Sequence, residues 1–271
     1  MMMFEHKHLR KSNLDLHSYL KKIFIDLGIK KGDIVYVASD ILKLIILCKH
    51  KKIKFDQEII INCLKDIIGN NGTLLFPTYN WDFCKGKTFN IKKTKSKCGA
   101  LSNYVLERSD FKRTKHPIYS LAVSGKLKSF FCNLKNKDSW GGKSPFHYLF
   151  RKKSKNLFIG IDYKDSFTMD HYFEQLMNVK YRYHKNFLAG YIDETGSKKN
   201  KRYSMYVRNK RECDFTMISP RLDKILSKSK AYNYLKKDKV KFGLIDVSKA
   251  GRILINDLKK NKSKLIYPVK N

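Results

Sequence analysis

No C-x-x-C pair occurs among the six cysteines, at positions 48, 63, 84, 98, 132 and 213, and no Cys/His cluster has zinc-finger spacing. A zinc module is excluded on that ground, and reduced, mostly buried thiols are expected. No apolar run is long enough to span a bilayer; the longest, ILKLIILC, is interrupted by Lys43. The N-terminal MMMFEHKHLRKS has neither an apolar h-region nor a small-residue cleavage site, so it does not read as a secretory signal. A soluble, cytoplasmic protein without membrane insertion is expected. Internal repeats, linkers and low-complexity segments are also missing, which predicts one domain over residues 1–271. Acidic residues are scarce, 24 Asp and Glu against 58 Lys and Arg.

That imbalance gives a formal net charge of +34, and two origins are open. A polyanionic partner would be drawn to it. Equally, the charge is mostly Lys, spread over the whole chain beside many Ile, Asn and Tyr, as an A/T-rich coding bias produces, and a charge run is then a solvated face. A small phosphate-bearing ligand would also be favoured. The hydrophobic fraction of 42%, with 17 Phe and 16 Tyr, predicts a packed globular core.

In LHSYLKKIFIDLGI, the residues Leu16, Leu20, Ile23, Phe24 and Leu27 recur at helical spacing, and Gly28 stands at a C-cap. KKGDIVYVASD reads as a turn and a buried strand. Residues 55–68 carry a second helical pattern ended by GNNG, and TLLFPT reads as a strand closed by Pro77. From Tyr79 to Asp110 the chain is irregular, a long loop of the kind that often carries function. Strands at YSLAVSG and NLFIGID follow, then a helix through DHYFEQLM and a charged, tyrosine-rich strand region from Tyr181 to Val207. A strand and a helix in FGLIDVSKAGRILINDLKK close the chain. Strands alternating with helices argue for an α/β fold with helices on both faces of a sheet.

Three segments carry chemical interest: KHPIYS, GGKSPF and IGIDYKDSFTMDHYFE. In the last, Ile159 to Ile161 end a strand, DYKDSF holds two carboxylates, and Thr168, His171 and Glu174 open a helix at i, i+3 and i+6. This spacing sets His171 beside a carboxylate and Thr168 at or near the N-cap. The mouth left by strand ends is where open α/β sheets handle ligands. A purely structural histidine is one alternative. A metal set of Asp170, His171 and Glu174 is another, and it lacks a further ligand at a recognisable spacing.

The order GTLLFPT, KHPIYSLAVSG, GGKSPFHYL and FTMDHYFE resembles the aminoglycoside 3-N-acetyltransferase family, whose members show G-T-L-x-x-P-T, H-P-x-x-S, G-x-x-S-P and T-x-x-H-x-x-E in that order. GDIVYVASDIL and FGLIDVSKAGRILINDL are similar to the family's preceding strand and closing segment, so the likeness covers residues 15–260. The resemblance implies a three-layer α/β/α sandwich around a mixed central sheet, and direct N-acetyl transfer from acetyl-CoA without a metal. In that chemistry His171 is the general base. Glu174, or else Asp162 or Asp165, fixes its tautomer, and Thr168 or helix-start N–H groups donate to the oxyanion. Matched by motif alone, the coenzyme A side uses Ser39, His116, Pro117, Ser120, Gly142, Ser144 and Pro145. A scaffold reading stands beside each: His116 as a structural histidine next to a rigid Pro117, Ser144 as the start of a helix. The chain departs from the family in Ala38, where a His is common, and in its lysine-rich middle and C-terminal thirds, so acceptor identity does not carry over.

The partners expected are coenzyme A and a small amino sugar, with a homodimer left open. Because 24 acidic residues face 58 basic ones, a nucleotide-linked or surface-glycan amino sugar of polysaccharide biosynthesis is favoured over an aminoglycoside polycation, the acceptor in antibiotic resistance. A reading from another class is a non-enzymatic nucleic-acid-binding protein, in which KYRYHKNF and KKNKRYSMYVRNKR stack bases and hold phosphates. The same stripe also reads as an edge strand blunted with lysine, and nucleic acid is the least favoured partner.

Overall fold

The computed structural model describes residues 15–209, 211 and 220–260; Cys213 and the MMMFEHKHLRKS segment lie outside them. The opening amphipathic pattern forms α1 (Leu16–Leu27), capped by the Asp15 carboxylate, which accepts the Ser18 N–H at 2.9 Å, and ended by Gly28 at φ 107°. Next come β1 (Ile34–Ser39), α2 (Leu42–His50), α3 (Gln57–Ile68) and β2 (Thr73–Pro77). The irregular stretch holds a 3-10 turn (Trp81–Lys85), β3 (Phe89–Asn90) and α4 (Ala100–Glu107). It is followed by β4 (Lys112–Arg113), β5 (Leu121–Gly125), α5 (Lys128–Cys132), α6 (Pro145–Arg151) and β6 (Lys155–Ile159). After the short α7 (Tyr163–Ser166) come α8 (Met169–Leu176), β7 (Arg182–Ile192) and β8 (Lys198–Arg208). The series ends with α9 (Pro220–Lys228), β9 (Tyr232–Lys237), β10 (Val240–Asp246) and α10 (Val247–Lys260).

Seven strands form one mixed sheet in the order β4-β5-β2-β1-β6-β10-β9. Its centre is parallel, β1 lying between β2 and β6, and every other pairing in it is antiparallel. Strand alternation divides the apolar residues between two cores. Val35, Val37, Leu74, Phe76, Leu157 and Ile159 pack against α1 to α4 on one face. Tyr36, Ala38, Leu75 and Phe158 pack on the other, with α5 to α10 and a second sheet, β3-β7-β8. This is the expected α/β/α sandwich around a mixed sheet, and each fully buried Leu or Phe contributes roughly 2 kcal/mol to it.

The tyrosine-rich region is a long antiparallel hairpin, with Arg182 opposite Arg208 and Ile192 opposite Lys198. Its lysines are largely solvated while Arg182, Tyr191, Tyr203 and Tyr206 are buried, so this stripe is built into the core rather than laid out as a flat aromatic platform. Among the described residues five cysteines are free thiols, with Cys48, Cys63 and Cys132 buried; burial pushes the Cys63 thiol up to about 12. No helix among the described residues is long and apolar enough to cross a membrane.

Candidate active site

A cavity of about 650 Å³ opens at the C-terminal ends of the three parallel strands. Ser39, Asp40 and Ile41 leave β1 into it, Pro77 and Tyr79 leave β2, and Ile161, Thr168 and His171 follow β6. Leu42 and Ile45 of α2 form an apolar rim, with Trp81 and the 97–100 loop beside them. The ionisable carboxyl and amino groups on the lining are Asp40, Asp165 and Lys97, and Lys97 is itself paired with Asp82 at 2.5 Å.

His171 sits in the first turn of α8. Its Nδ1 lies 3.1 Å from Glu174 Oε2 and 3.1 Å from Asp170 Oδ1. With the ionised Glu174 Oε2 as its hydrogen-bond acceptor, Nδ1 is assigned the ring proton and Nε2 the lone pair. Nε2 makes no hydrogen bond among the described residues, and the ring lines the cavity. Glu174 is fully buried. Burial would push its carboxyl up, but the His171 hydrogen bond and the Arg182 charge outweigh burial and hold it below the usual carboxylate range. Asp170, also buried, is raised, first by burial and then by its neighbour Glu174. One carboxylate is thus kept ionised and the other is biased toward its neutral form.

The cation that permits this is Arg182 at the start of β7. Its Nη2 donates to Glu174 Oε2 at 2.7 Å and its Nη1 to the Tyr206 carbonyl at 3.2 Å. Asp170, His171 and Glu174 bring one ligand atom each to within 4.8 Å of one another, the grouping a metal would need. The guanidinium, itself 3.1 Å from Nδ1, already supplies the positive charge at that place. Periodicity gives no sign of Arg182, which follows buried Tyr181 and precedes exposed Tyr183 in a Lys- and Tyr-rich stretch; its burial on the hairpin brings it to Glu174.

The GGKSPF turn serves His171 indirectly. Trp140, just before it, meets the imidazole edge-on at 5.2 Å and packs on Tyr119 and Phe146. Asp138 accepts both the Trp140 N–H at 3.2 Å and the Gln175 amide of α8 at 2.7 Å, tying loop to helix. Ser144 caps α6, accepting the His147 N–H at 3.4 Å, with Pro145 in its first turn. Gly142 is exposed. His116 and Pro117 are buried beside Tyr203; the His116 Nδ1 accepts the Tyr119 N–H at 3.1 Å. Burial lowers the His116 imidazole to about 3, so it offers no charge to a phosphate. Ser120 is fully buried between Thr78 and Arg113. Of the motif-matched residues on the coenzyme A side, Ser39 lines the cavity; the other six are not on its lining.

Thr168 occupies the N-cap position of α8 in a helical conformation, φ −61° and ψ −14°, with no side-chain cap bond, so its hydroxyl is not committed to the helix end. Asp162 caps α7 instead and pairs with Lys241 at 2.5 Å, which removes it as a partner of His171. Asp165 lines the cavity.

The sequence matches the aminoglycoside 3-N-acetyltransferase profile over residues 47–248. No curated protein matches it. Among solved structures it is similar to AAC-IIIb in binary complex with CoASH, at 17% identity and TM-score 0.75, covering 90% of this chain and 96% of that one. It is also similar to AAC-VIa bound to sisomicin, at 16% identity and TM-score 0.76, with 91% and 98% covered. The YokD protein from Bacillus subtilis shares 21% identity at TM-score 0.73, with 92% and 94% covered. At these identities the three structures establish a common fold, and the profile, spanning most of the chain, establishes descent: the chain belongs to the aminoglycoside 3-N-acetyltransferase family and is an N-acetyltransferase.

Proposed function

We propose that the protein moves the acetyl group of acetyl-CoA directly to an amino group of an amino sugar, with His171 as general base. The observation that carries this reading is a histidine with its Nδ1 fixed by a buried, ionised Glu174 and its ring on a cavity at the strand ends. An amino-sugar amine is largely protonated near neutrality, and only its lone pair attacks a carbonyl, so a base near neutrality is required. His171 takes that proton at Nε2, Glu174 steadies the resulting imidazolium, and Thr168 offers a hydroxyl to the developing oxyanion. Bound acetyl-CoA supplies the activated acyl carbon. The apolar rim of Ile41, Leu42 and Ile45 suits a pantetheine arm, and Ser39 stands beside it; the related AAC-IIIb is known with CoASH. We take residues 1–271 as one acyltransferase domain, because one continuous sheet joins strands of both halves of the chain through the parallel β1–β6 pairing.

The cavity does not repeat the overall charge of the chain. Two carboxylates and one already paired lysine line it, which favours an acceptor that arrives as an ammonium, the character of the sisomicin bound by the related AAC-VIa. The second reading, a nucleotide-linked or surface-glycan amino sugar, draws on the +34 net charge outside the cavity. A panel of aminoglycosides, simple amino sugars and nucleotide-linked amino sugars, assayed by release of the coenzyme A thiol, separates the two. In the same assay His171→Ala is expected to lose at least about a hundredfold in kcat. Unchanged turnover in that variant rejects His171 as the base.

A further inference from the structure

Two tyrosines line the cavity with His171 and have no part in the chemistry above. Tyr36 of β1 and Tyr79, just beyond β2, bring their hydroxyl oxygens to 2.5 Å, with 1% and 4% of their surfaces exposed. The Thr168 hydroxyl lies beside both, and its own hydrogen bond is to the Ser166 carbonyl at a long 3.5 Å. Burial holds both phenols well above their ordinary value, so each remains a neutral donor.

Each hydroxyl carries one proton and donates once. Within the pair one hydroxyl donates to the other, and the acceptor keeps its own O–H to give. An oxygen that gains negative charge in the cavity draws that O–H, whose donor strength is raised by the hydroxyl behind it. Tyr36, Tyr79 and His171 line the same cavity, so an acyl group presented to an amine held by His171 has these hydroxyls within the same enclosure.

Resting on the acyl-transfer reading above, we propose that the Tyr36–Tyr79 pair, beside rather than through Thr168, donates a second hydrogen bond to the thioester carbonyl oxygen as charge develops on it. Once the ammonium proton has passed through His171 to solvent, the amine lone pair forms the C–N bond, the carbonyl π pair moves to oxygen, and the neutral His171 takes the second proton from nitrogen. When the π pair returns, the C–S bond breaks with its electrons on sulfur, and the proton on His171 passes to the thiolate. The tyrosine keeps its own proton throughout.

Tyr36→Phe, Tyr79→Phe and the double variant keep the rings and remove the hydroxyls. Free coenzyme A lacks the thioester carbonyl, so its thermal stabilisation of each variant is expected to equal that of the parent, which also shows that the variants fold. With acetyl-CoA as donor and sisomicin or glucosamine as acceptor, kcat is expected to fall on the order of a hundredfold in at least one single variant and in the double. The KM for acetyl-CoA is expected to stay within about threefold. A kcat within about twofold of the parent in all three variants overturns the proposal. Loss of coenzyme A stabilisation in step with activity also overturns it, by assigning the pair to donor binding. A parent that acetylates no amine in the panel rejects the acyl-transfer reading itself, a failure seen before any variant is compared.

Discussion

At the scale of single residues, the base is only as good as the charge arrangement behind it. Glu174 is fully buried and Arg182 nearly so, and an ionised carboxylate in that position needs its cation. Breaking such a pair costs about 3–5 kcal/mol, because the partner is left as an uncompensated buried charge. Arg182→Met is therefore expected to destabilise the protein by that order. A carboxyl held below its unfolded value contributes stability that is present above the unfolded value and lost as pH falls through the folded one. Glu174 is lowered in this way, and removing Arg182 raises it again. The melting temperature of the variant is then expected to begin its acid decline at a higher pH than that of the parent. Parallel curves of melting temperature against pH would show that Arg182 does not set the state of Glu174. The placement of Thr168, His171 and Glu174 at one helix start is legible from their spacing, whereas the roles proposed for them come from the resemblance of four ordered motifs. Arg182 was not legible, because its partner is reached across a hairpin register that no local pattern encodes. Tyr36 was hidden for a different reason: in IVYVAS both faces are buried, so alternation does not say which side chains reach the cavity.

Elements carry these residues into place, and glycine matters where two elements nearly touch. A Cβ on Gly251 of α10 would lie 2.5 Å from Phe150 and 2.6 Å from Phe173, the latter two residues beyond His171 on α8. Gly251→Ala must push α8 aside, at a cost of roughly 1–3 kcal/mol. It is expected to lower both melting temperature and kcat. Gly142, in the motif-matched turn, has nothing within 4 Å of an added Cβ, so Gly142→Ala is expected to keep the parent's melting temperature. If its KM for acetyl-CoA rises nonetheless, the turn touches the donor; if it does not, the turn supports Trp140 and nothing more. At this scale α1 and α3 follow from helical periodicity, α1 with Gly28 as its C-cap, and the structure adds Asp15 and Asp56 as their N-caps; the mixed central sheet was implied by the resemblance alone. By contrast, α2 reads only as an apolar run. Leu42, Ile45 and Ile46 stay exposed on it while Leu44 and Leu47 are buried, so it has no clean apolar stripe. The cavity it borders explains why Leu42 and Ile45 are there.

Over the whole molecule, a net charge of +34 surrounds a cavity lined by Asp40, Asp165 and a Lys97 already paired with Asp82. The two fields act at different ranges. The surrounding charge is long-range and is screened beyond about 10 Å at 0.1 M salt, whereas contacts inside the cavity are screened much less. A phosphate-bearing donor such as acetyl-CoA is drawn in by the outer field, and a cationic amine has to cross it before meeting the carboxylates within. Raising salt from about 0.05 M to about 0.5 M shortens the reach of the outer field severalfold. The KM for acetyl-CoA is therefore expected to rise severalfold, while the KM for a polyamine acceptor such as sisomicin stays level or falls. Steady-state titrations of each substrate across that range check both halves together. If acetyl-CoA proves insensitive to salt, the lysines are a solvated coat with no part in substrate capture. If both constants rise together, the acceptor is itself drawn by positive charge, and the anionic amino-sugar reading gains what the cationic one loses.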